Sequence, residues 1–254
     1  MKEERYFYCP DLPSPDRCRG LEGVLPDSEE SHALRVLRLT VGEPLMLMDG
    51  RGTFFQAVVV STSGHHLHYR IDDVLPQQSE WPGHLHLAVA PTKMMERTEW
   101  LIEKAVEIGI NELSLLDCRF SERRQVKSER LERIVVAAVK QSRKAWMPRI
   151  SPMTPLQDFL RQNTTGHRFI AHCYEEVPRQ DLFTLLMNIT SGSDKHLADG
   201  HFLVLVGPEG DFSIDEVKLA ISLGYQSVSL GSSRLRTETA GLMAAMQMRV
   251  SVSR

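Results

Sequence analysis

The chain has 254 residues, 42% of them hydrophobic and 25% charged, with a formal net charge of −3. That is an ordinary globular composition, long enough for one large domain or two modest ones, and the overall charge does not by itself point to nucleic acid. No apolar run of about eighteen residues marks a membrane span. Met1-Lys2-Glu3-Glu4-Arg5 lacks the apolar core of a signal peptide. Cys9, Cys18, Cys118 and Cys173 form no C-x-x-C pair and read as reduced thiols, so a cytoplasmic location is expected.

Residues 1–72 read as a small β-rich module. A strand over 41–52 closes on the Asp49-Gly50 turn, and the strand pattern continues through 54–60 and 67–71. Ahead of them, residues 31–39 have the helical spacing of His32, Leu34, Val36 and Leu37, which sets Arg35 and Arg38 on one side of a turn. Two arginines so placed suit a solvated face as well as a phosphate contact. Residues 73–83, with Pro76, Gln77, Gln78, Ser79 and Pro82, are expected to be a linker.

From residue 84 onward strands and helices alternate. A strand over 84–90 precedes a helix over 93–108, whose apolar side carries Met94, Leu101, Ala105 and Ile108 and which stops at Gly109. A strand covers 113–116. Ser128 then caps a helix with Leu131, Ile134, Val135 and Ala138 at i, i+3, i+4, i+7. A strand over 169–173, a helix over 179–189 and a polar loop over 190–200 come next. Such alternation predicts an α/β domain over 84–254, its mostly parallel sheet covered on both faces.

Residues 119–149 hold ten Lys or Arg against three Glu, a local excess of seven in a chain whose total is −3. A solvated helix and loop would look like this, and so would a patch supplying salt-sensitive RNA affinity. Trp146 within it suits base stacking or a core position equally.

Two C-terminal units share one plan. Leu203-Val204-Leu205-Val206 runs into Gly207-Pro208-Glu209-Gly210-Asp211-Phe212, and Val228-Ser229 into Leu230-Gly231-Ser232-Ser233-Arg234-Leu235-Arg236-Thr237-Glu238-Thr239-Ala240. Each is a short apolar strand ending in a glycine loop that feeds a helix. Loops at neighbouring strand ends would form a crevice lined by main-chain N–H and C=O groups. Ser213 and Glu216 fit a capping box that starts the first helix, and Gly224 ends it. Residues 237–252 are rich in Ala and Met with few charges, the pattern of a buried helix.

The pairing of Gly207-Pro208-Glu209-Gly210 with Leu230-Gly231 and Leu235-Arg236-Thr237-Glu238-Thr239-Ala240 resembles the SPOUT class of RNA methyltransferases. More closely it resembles the RsmE family, which methylates N3 of a uridine in 16S ribosomal RNA. The resemblance implies a C-terminal trefoil knot, a PUA-like N-terminal β-barrel over 1–72, a homodimer, S-adenosylmethionine as donor and the small ribosomal subunit as partner. The His32-to-Leu39 pattern tips Arg35 and Arg38 toward RNA, and Arg119-Phe120-Ser121-Glu122-Arg123 and Lys140-Gln141-Ser142-Arg143 also match family positions. Arg35, Arg38, Arg119, Arg123, Arg124, Lys140 and Arg143 are thus the expected RNA contacts. Leu205, Gly207, Glu209, Gly210, Leu230, Gly231, Leu235, Arg236, Thr237, Thr239 and Ala240 are expected around the cofactor. The family commonly has a second glycine where this chain has Asp211, which a left-handed Asp can replace.

Uridine N3 is a poor nucleophile until its proton leaves, so a carboxylate or an anion-stabilising cation is needed. Glu209 and Glu238 are the carboxylate candidates and Arg236 the cation. Glu238 could instead serve the helix dipole, and Glu209 could bond the amides of its own loop. His65-His66-Leu67-His68 and His84-Leu85-His86 lack acidic or cysteine neighbours at ligand spacing, so ordinary strand histidines and no metal are expected. No dinucleotide or P-loop motif occurs. The rival readings are a SPOUT methyltransferase acting on another RNA and an RNA-binding assembly factor without turnover.

Overall fold

The computed structural model describes residues 5–79, 81, 83–191 and 200–253. By its contacts the chain divides into two compact units, one of residues 1–80 and 136–147, the other of 81–135 and 148–254.

The first unit is a five-stranded sheet of order β1-β3-β4-β5-β2. Its strands are β1 (Tyr6–Tyr8), β2 (Glu22–Val24), β3 (Pro44–Met48), β4 (Thr53–Ser63) and β5 (His66–Pro76). β1 runs parallel to β3 and the other pairs are antiparallel. Alternate residues Phe55, Ala57 and Val59 of β4, and Leu67, Tyr69 and Ile71 of β5, fill one core with Phe7, Leu25 and Leu47. The Asp49-Gly50 turn forms as expected. The buried Asp49 carboxylate accepts the amides of Arg51 (2.8 Å) and Thr53 (3.1 Å), and Gly50 takes a φ of 73°.

Two expectations fail in this unit. The helix α1 (Asp27–Ser31) begins earlier than expected and passes into a π turn at His32–Val36, and Arg38 lies beyond it with a φ of 52°. Arg35 and Arg38 therefore do not share a helical face. The linker expected from 73 begins later, because Asp73, Val74, Leu75 and Pro76 continue β5 against Gln56, Phe55, Phe54 and Thr53; of that segment, residues 80 and 82 lie outside those described.

The second unit is a wholly parallel sheet of order β10-β12-β9-β11-β6-β7-β8. β6 (His84–Val89), α2 (Met95–Ile108) and β7 (Glu112–Asp117) lead to α3 (Ser128–Gln141). β8 (Arg149–Pro155), α4 (Leu156–Gln162), β9 (His167–Ala171), β10 (Gln180–Asp181) and α5 (Leu182–Ser191) come next. β11 (His201–Val206), α6 (Ile214–Ser222), β12 (Gln226–Ser229) and α7 (Thr237–Val252) complete it. Gly109 ends α2 with a φ of 103°, and Ser213 and Glu216 form the reciprocal capping box that starts α6. Leu203 and Leu205 pack with Phe159, Leu160, Val217 and Ala220, so α4 and α6 cover one face. α7 lies on the other, against α2, α5, β6 and β11. It is only partly buried: Ala244, Ala245 and Met248 are enclosed, while Met243, Met246 and Val250 are exposed.

β8 and α4 escape a sequence reading because Pro152 and Pro155 argue against a strand. They are tolerated at this sheet edge, where a lost N–H costs no ladder bond. The division of the chain also differs from the one expected. α3 is one helix, but its residues from 136 belong to the first unit, where the buried Glu29 takes Lys140 Nζ at 2.5 Å. Of the loop expected over 190–200, Thr190 and Ser191 close α5 and residues 192–199 lie outside those described.

At the amino ends of β6, β7 and β11, the histidines do have an acidic partner. Glu112 accepts from His84 Nε2 at 3.2 Å and from Ser151 Oγ at 3.2 Å, and lies 3.9 Å from His86 Nε2. The hydrogen bond from His84 holds Glu112 down to about 2, and burial pushes His86 down to about 4. The carboxylate is remote in sequence, so no local spacing revealed it. Because the folded pKa of His86 lies below its unfolded value of about 6.5, its contribution is complete above pH 6.5 and is lost as pH falls through about 4. Glu112 contributes above about 4.5 and loses that as pH falls through about 2. His86→Asn is expected to remove about 2–3 kcal/mol of the stability loss between pH 6.5 and 4, read from urea midpoints across that range.

Candidate active site

In a parallel sheet every strand ends at the same edge, so the loops after β6, β7, β9, β11 and β12 converge there. β11 is central, flanked by β9 and β6. The two glycine loops are therefore not at adjacent strands, because β9 separates β11 from β12, and the segment after β9 joins the site.

The loop after β11 binds to its neighbours on both sides. Glu209 Oε1 accepts the Lys93 amide (2.9 Å) from the loop after β6. Asp211 Oδ2 accepts the Cys173 amide (2.8 Å) from the loop after β9, and Tyr174 donates its hydroxyl to the Phe212 carbonyl (2.8 Å). Asp211 has a φ of 66°, the left-handed geometry its unusual position requires, and its Oδ1 accepts the next amide, Phe212 N, at 2.7 Å. From the loop after β7, Arg119 donates its amide to Glu216 Oε1 (2.8 Å).

The glycines have different reasons. A Cβ on Gly207 would lie 2.9 Å from Phe212 N, closer than packing allows, and one on Gly210 would lie 3.2 Å from Phe120 Cβ, a tight contact. Gly231 has a φ of 120° and nothing within 4 Å of a Cβ position. That open, bare backbone is what an approaching ligand uses. Arg234, from the same loop, and Asp211 both act on the Cys173 thiol: burial and Asp211 push its pKa up and Arg234 opposes them. Val206 of β11 and Val228 of β12 both pair with Ala171, so the two glycine loops leave the sheet on either side of the end of β9.

Leu230 and Leu235 are half-buried, while Arg236 and Thr239 are exposed and Thr237 is buried. Leu205 is enclosed in the core with Ala88, Ile170 and Leu203, so only its main chain can face a ligand. Ala240 is half-buried, and its amide bonds the Arg236 carbonyl at 2.8 Å as α7 begins.

Of the three expected catalytic residues, Glu209 is exposed and engaged with Lys93 N rather than with its own loop. Glu238 is 9% exposed in the first turn of α7; its Oε1 lies 3.4 Å from Arg97 Nη1, and its Oε2 is buried with no hydrogen-bond partner among the described residues. Arg236, the α7 N-cap, has no ion-pair partner among the described residues. Arg97 on α2 is the residue a sequence reading misses, because nothing local ties it to Glu238, 141 positions further along.

The basic segment is partly spent on structure. Arg123 donates to the Thr92 carbonyl (3.3 Å) and the Lys93 carbonyl (2.7 Å), Arg124 pairs with Asp117 at 2.6 Å, and Arg119 reaches Asp215 at 3.3 Å. Lys140 is held by Glu29. Arg35, Arg38 and Arg143 are exposed. His66 also has acidic neighbours that were not expected: its Nδ1 is 3.1 Å from Glu30 Oε1, and one ligand atom each of Asp27, Glu30 and His66 lie within 4.8 Å of one another. Among the described residues no helix is long and apolar enough to cross a membrane.

Residues 79–249 match the model of the RNA methyltransferase domain, and residues 25–72 that of the RNA methyltransferase PUA domain. A relative from Rickettsia conorii, named ribosomal RNA small subunit methyltransferase E, is 30% identical over 225 residues, covering 88% of this chain and 87% of its own length. A solved probable rRNA-methyltransferase from Porphyromonas gingivalis is 39% identical with a TM-score of 0.82 and coverage of 97% of each chain. The ribosomal RNA small subunit methyltransferase E from Neisseria gonorrhoeae, solved bound to S-adenosylmethionine, is 26% identical with a TM-score of 0.81 and coverage of 98% of each.

Removing the cation beside Glu238 leaves a buried acceptor unmatched. Arg97→Met is expected to cost about 1–2 kcal/mol, discounted because Arg97 is partly exposed. The urea midpoint measures it, and Arg97→Met with Glu238→Met together should recover most of the loss.

Proposed function

Because the chain belongs to the RNA methyltransferase family, we propose that it transfers a methyl group from S-adenosylmethionine to N3 of a uridine in 16S ribosomal RNA of the small subunit. The observation carrying this is the pair of glycine loops that leave β11 and β12 at one sheet edge, on either side of the end of β9. The cradle suits the donor: the main chain of Leu205, Gly207, Gly210, Leu230 and Gly231 offers N–H and C=O groups to an adenosine, with Leu235 and Ala240 as apolar walls and Thr237 and Thr239 as hydroxyls. S-adenosylmethionine supplies an electrophilic methyl, so the chain's own task is alignment, which contributes up to about 7–11 kcal/mol in well-oriented systems.

The base must lose its N3 proton. Glu238 is the acceptor, because Oε2 is enclosed with no donor committed to it and Arg97 holds the other oxygen. Arg236, exposed beside it in sequence, stabilises the uridine anion. Glu209 acts on the loop after β6 and shapes the site.

The first unit, with β5 running on through Pro76, serves as the PUA-like, barrel-forming RNA-binding domain, and the second unit serves as the SPOUT domain, whose tail is threaded as a trefoil knot. The exposed Met243, Met246 and Val250 on α7 suit the interface of a homodimer. Arg35, Arg38, Arg119, Arg123, Arg124, Lys140 and Arg143 lend positive potential toward the RNA, in the cytoplasm.

Calorimetry is expected to give a binding heat with S-adenosylmethionine for the wild type and none for Gly231→Trp, which fills the open backbone. A wild type giving no heat would favour an RNA-binding factor without turnover. In a host lacking the gene, mass spectrometry of digested small-subunit rRNA is expected to show loss of 3-methyluridine; its persistence would move the substrate elsewhere.

A further inference from the structure

Phe120 is 47% exposed, the one large apolar side chain that the loops after β7 and β11 leave in the open among the described residues. Its main chain is nevertheless fixed. Ser121 N donates to the Cys118 carbonyl (3.0 Å) and the Ser121 hydroxyl accepts the Cys118 amide (3.0 Å), closing a turn with Arg119 and Phe120 at its tip. Glu216 takes the Arg119 amide, and Arg124 Nη2 donates to the Arg119 carbonyl at 3.2 Å. The side chain starts against the first glycine loop: a Cβ on Gly210 would lie 3.2 Å from Phe120 Cβ and 3.8 Å from its Cγ. Trp146, the aromatic residue that the sequence offered for stacking, is equally exposed but belongs to the first unit.

The cations near the ring are already spent. Arg119 reaches Asp215, Arg123 holds the Thr92 and Lys93 carbonyls, Arg124 pairs with Asp117, and Lys93 Nζ lies 2.7 Å from Glu122. The Arg119 guanidinium is also 5.8 Å from the Phe120 ring centroid, near the outer limit of a cation–π contact. A ligand arriving here meets a flat neutral surface rather than net charge. A docking protein needs a contiguous apolar patch, whereas Phe120 stands singly in its two loops. One planar base needs only one ring, and its stacking does not depend on a neighbouring charge. The strand order narrows the choice of ligand further. The glycine loops flank the end of β9, while β6 and β7 lie on the other side of β11. Phe120 is thus across the β11 loop from the donor's cradle, on the side left for the acceptor.

We propose that Phe120 is a stacking platform for an unpaired base of the substrate RNA that accompanies the target uridine. This rests on the methyl-transfer reading, which brings RNA to this edge, and adds a base contact that neither glycine loop supplies.

The test measures how the full chain binds a single-stranded oligouridylate and a fully abasic oligomer of the same length. Phe120→Leu keeps the Cβ contact and the apolar character but loses the ring. It is expected to weaken oligouridylate binding about tenfold, while Phe120→Trp retains it. Neither substitution is expected to change affinity for the abasic oligomer. Unchanged oligouridylate affinity in Phe120→Leu, equal losses in Phe120→Leu and Phe120→Trp, or the same loss on the abasic oligomer overturns the proposal. A wild type that binds the two oligomers alike overturns it too. So does a Phe120→Leu chain that loses S-adenosylmethionine heat with oligouridylate binding intact, which would give the ring to the cofactor. The two readings fail separately. Cofactor heat without any dependence of base binding on the ring refutes the platform alone. Ring-dependent base binding without cofactor heat in the wild type refutes the methyl-transfer reading alone.

Discussion

The second unit depends on one loop that holds its neighbours by their main chains. β11 is the middle strand of the converging edge, and the turn after it carries two carboxylates pointing opposite ways along the sheet. Glu209 takes an amide from the loop after β6, and Asp211 takes one from the loop after β9. Loop amides away from ladders need partners, and here each partner is also a ruler: it fixes the distance between adjacent strand ends. The left-handed turn at Asp211 makes this possible. A glycine would adopt the same φ more cheaply but could not reach Cys173.

That arrangement separates positioning from chemistry. Side chains after β11 are largely committed to building the edge, whereas the loop after β12 is open: Gly231 has empty space where a side chain would be, and Arg236 is exposed. Between them, α7 begins with an enclosed carboxylate that has one oxygen toward a cation and one unmatched. Unmatched buried acceptors are costly and uncommon. One at the start of a helix beside two glycine loops is why Glu238 is the carboxylate proposed as proton acceptor.

Much of this was legible in the residues. Helix ends followed Gly109 and Ser213, and the strands over 84–90 and 203–206 followed their apolar runs. The glycine loops and α7 followed from motif and composition, although half of α7 is exposed where an enclosed helix was expected. The illegible parts are those set by distant partners. Arg97 meets Glu238, Glu112 meets His84, and Glu30 meets His66 only after the chain has folded. β8 was hidden by prolines that an edge position excuses, and the intrusion of β9 between β11 and β12 is a fact of topology that spacing does not encode. The basic segment looked uniform, yet Arg124 and Lys140 serve ion pairs with distant carboxylates.

The pairing of Glu29 with Lys140 bears on how the molecule is made. The first unit is discontinuous, completed by residues 136–147. When the ribosome has released residues 1–80, Glu29 has nowhere to find its cation, and the β3–β4 turn lacks the strand segment that covers it. The amino-terminal sheet therefore gains its last contacts only once the helix that completes it has been made. It waits for more than fifty further residues of nascent chain, and a truncated gene ending at the apparent boundary would yield a fragment with a stranded carboxylate in its interior.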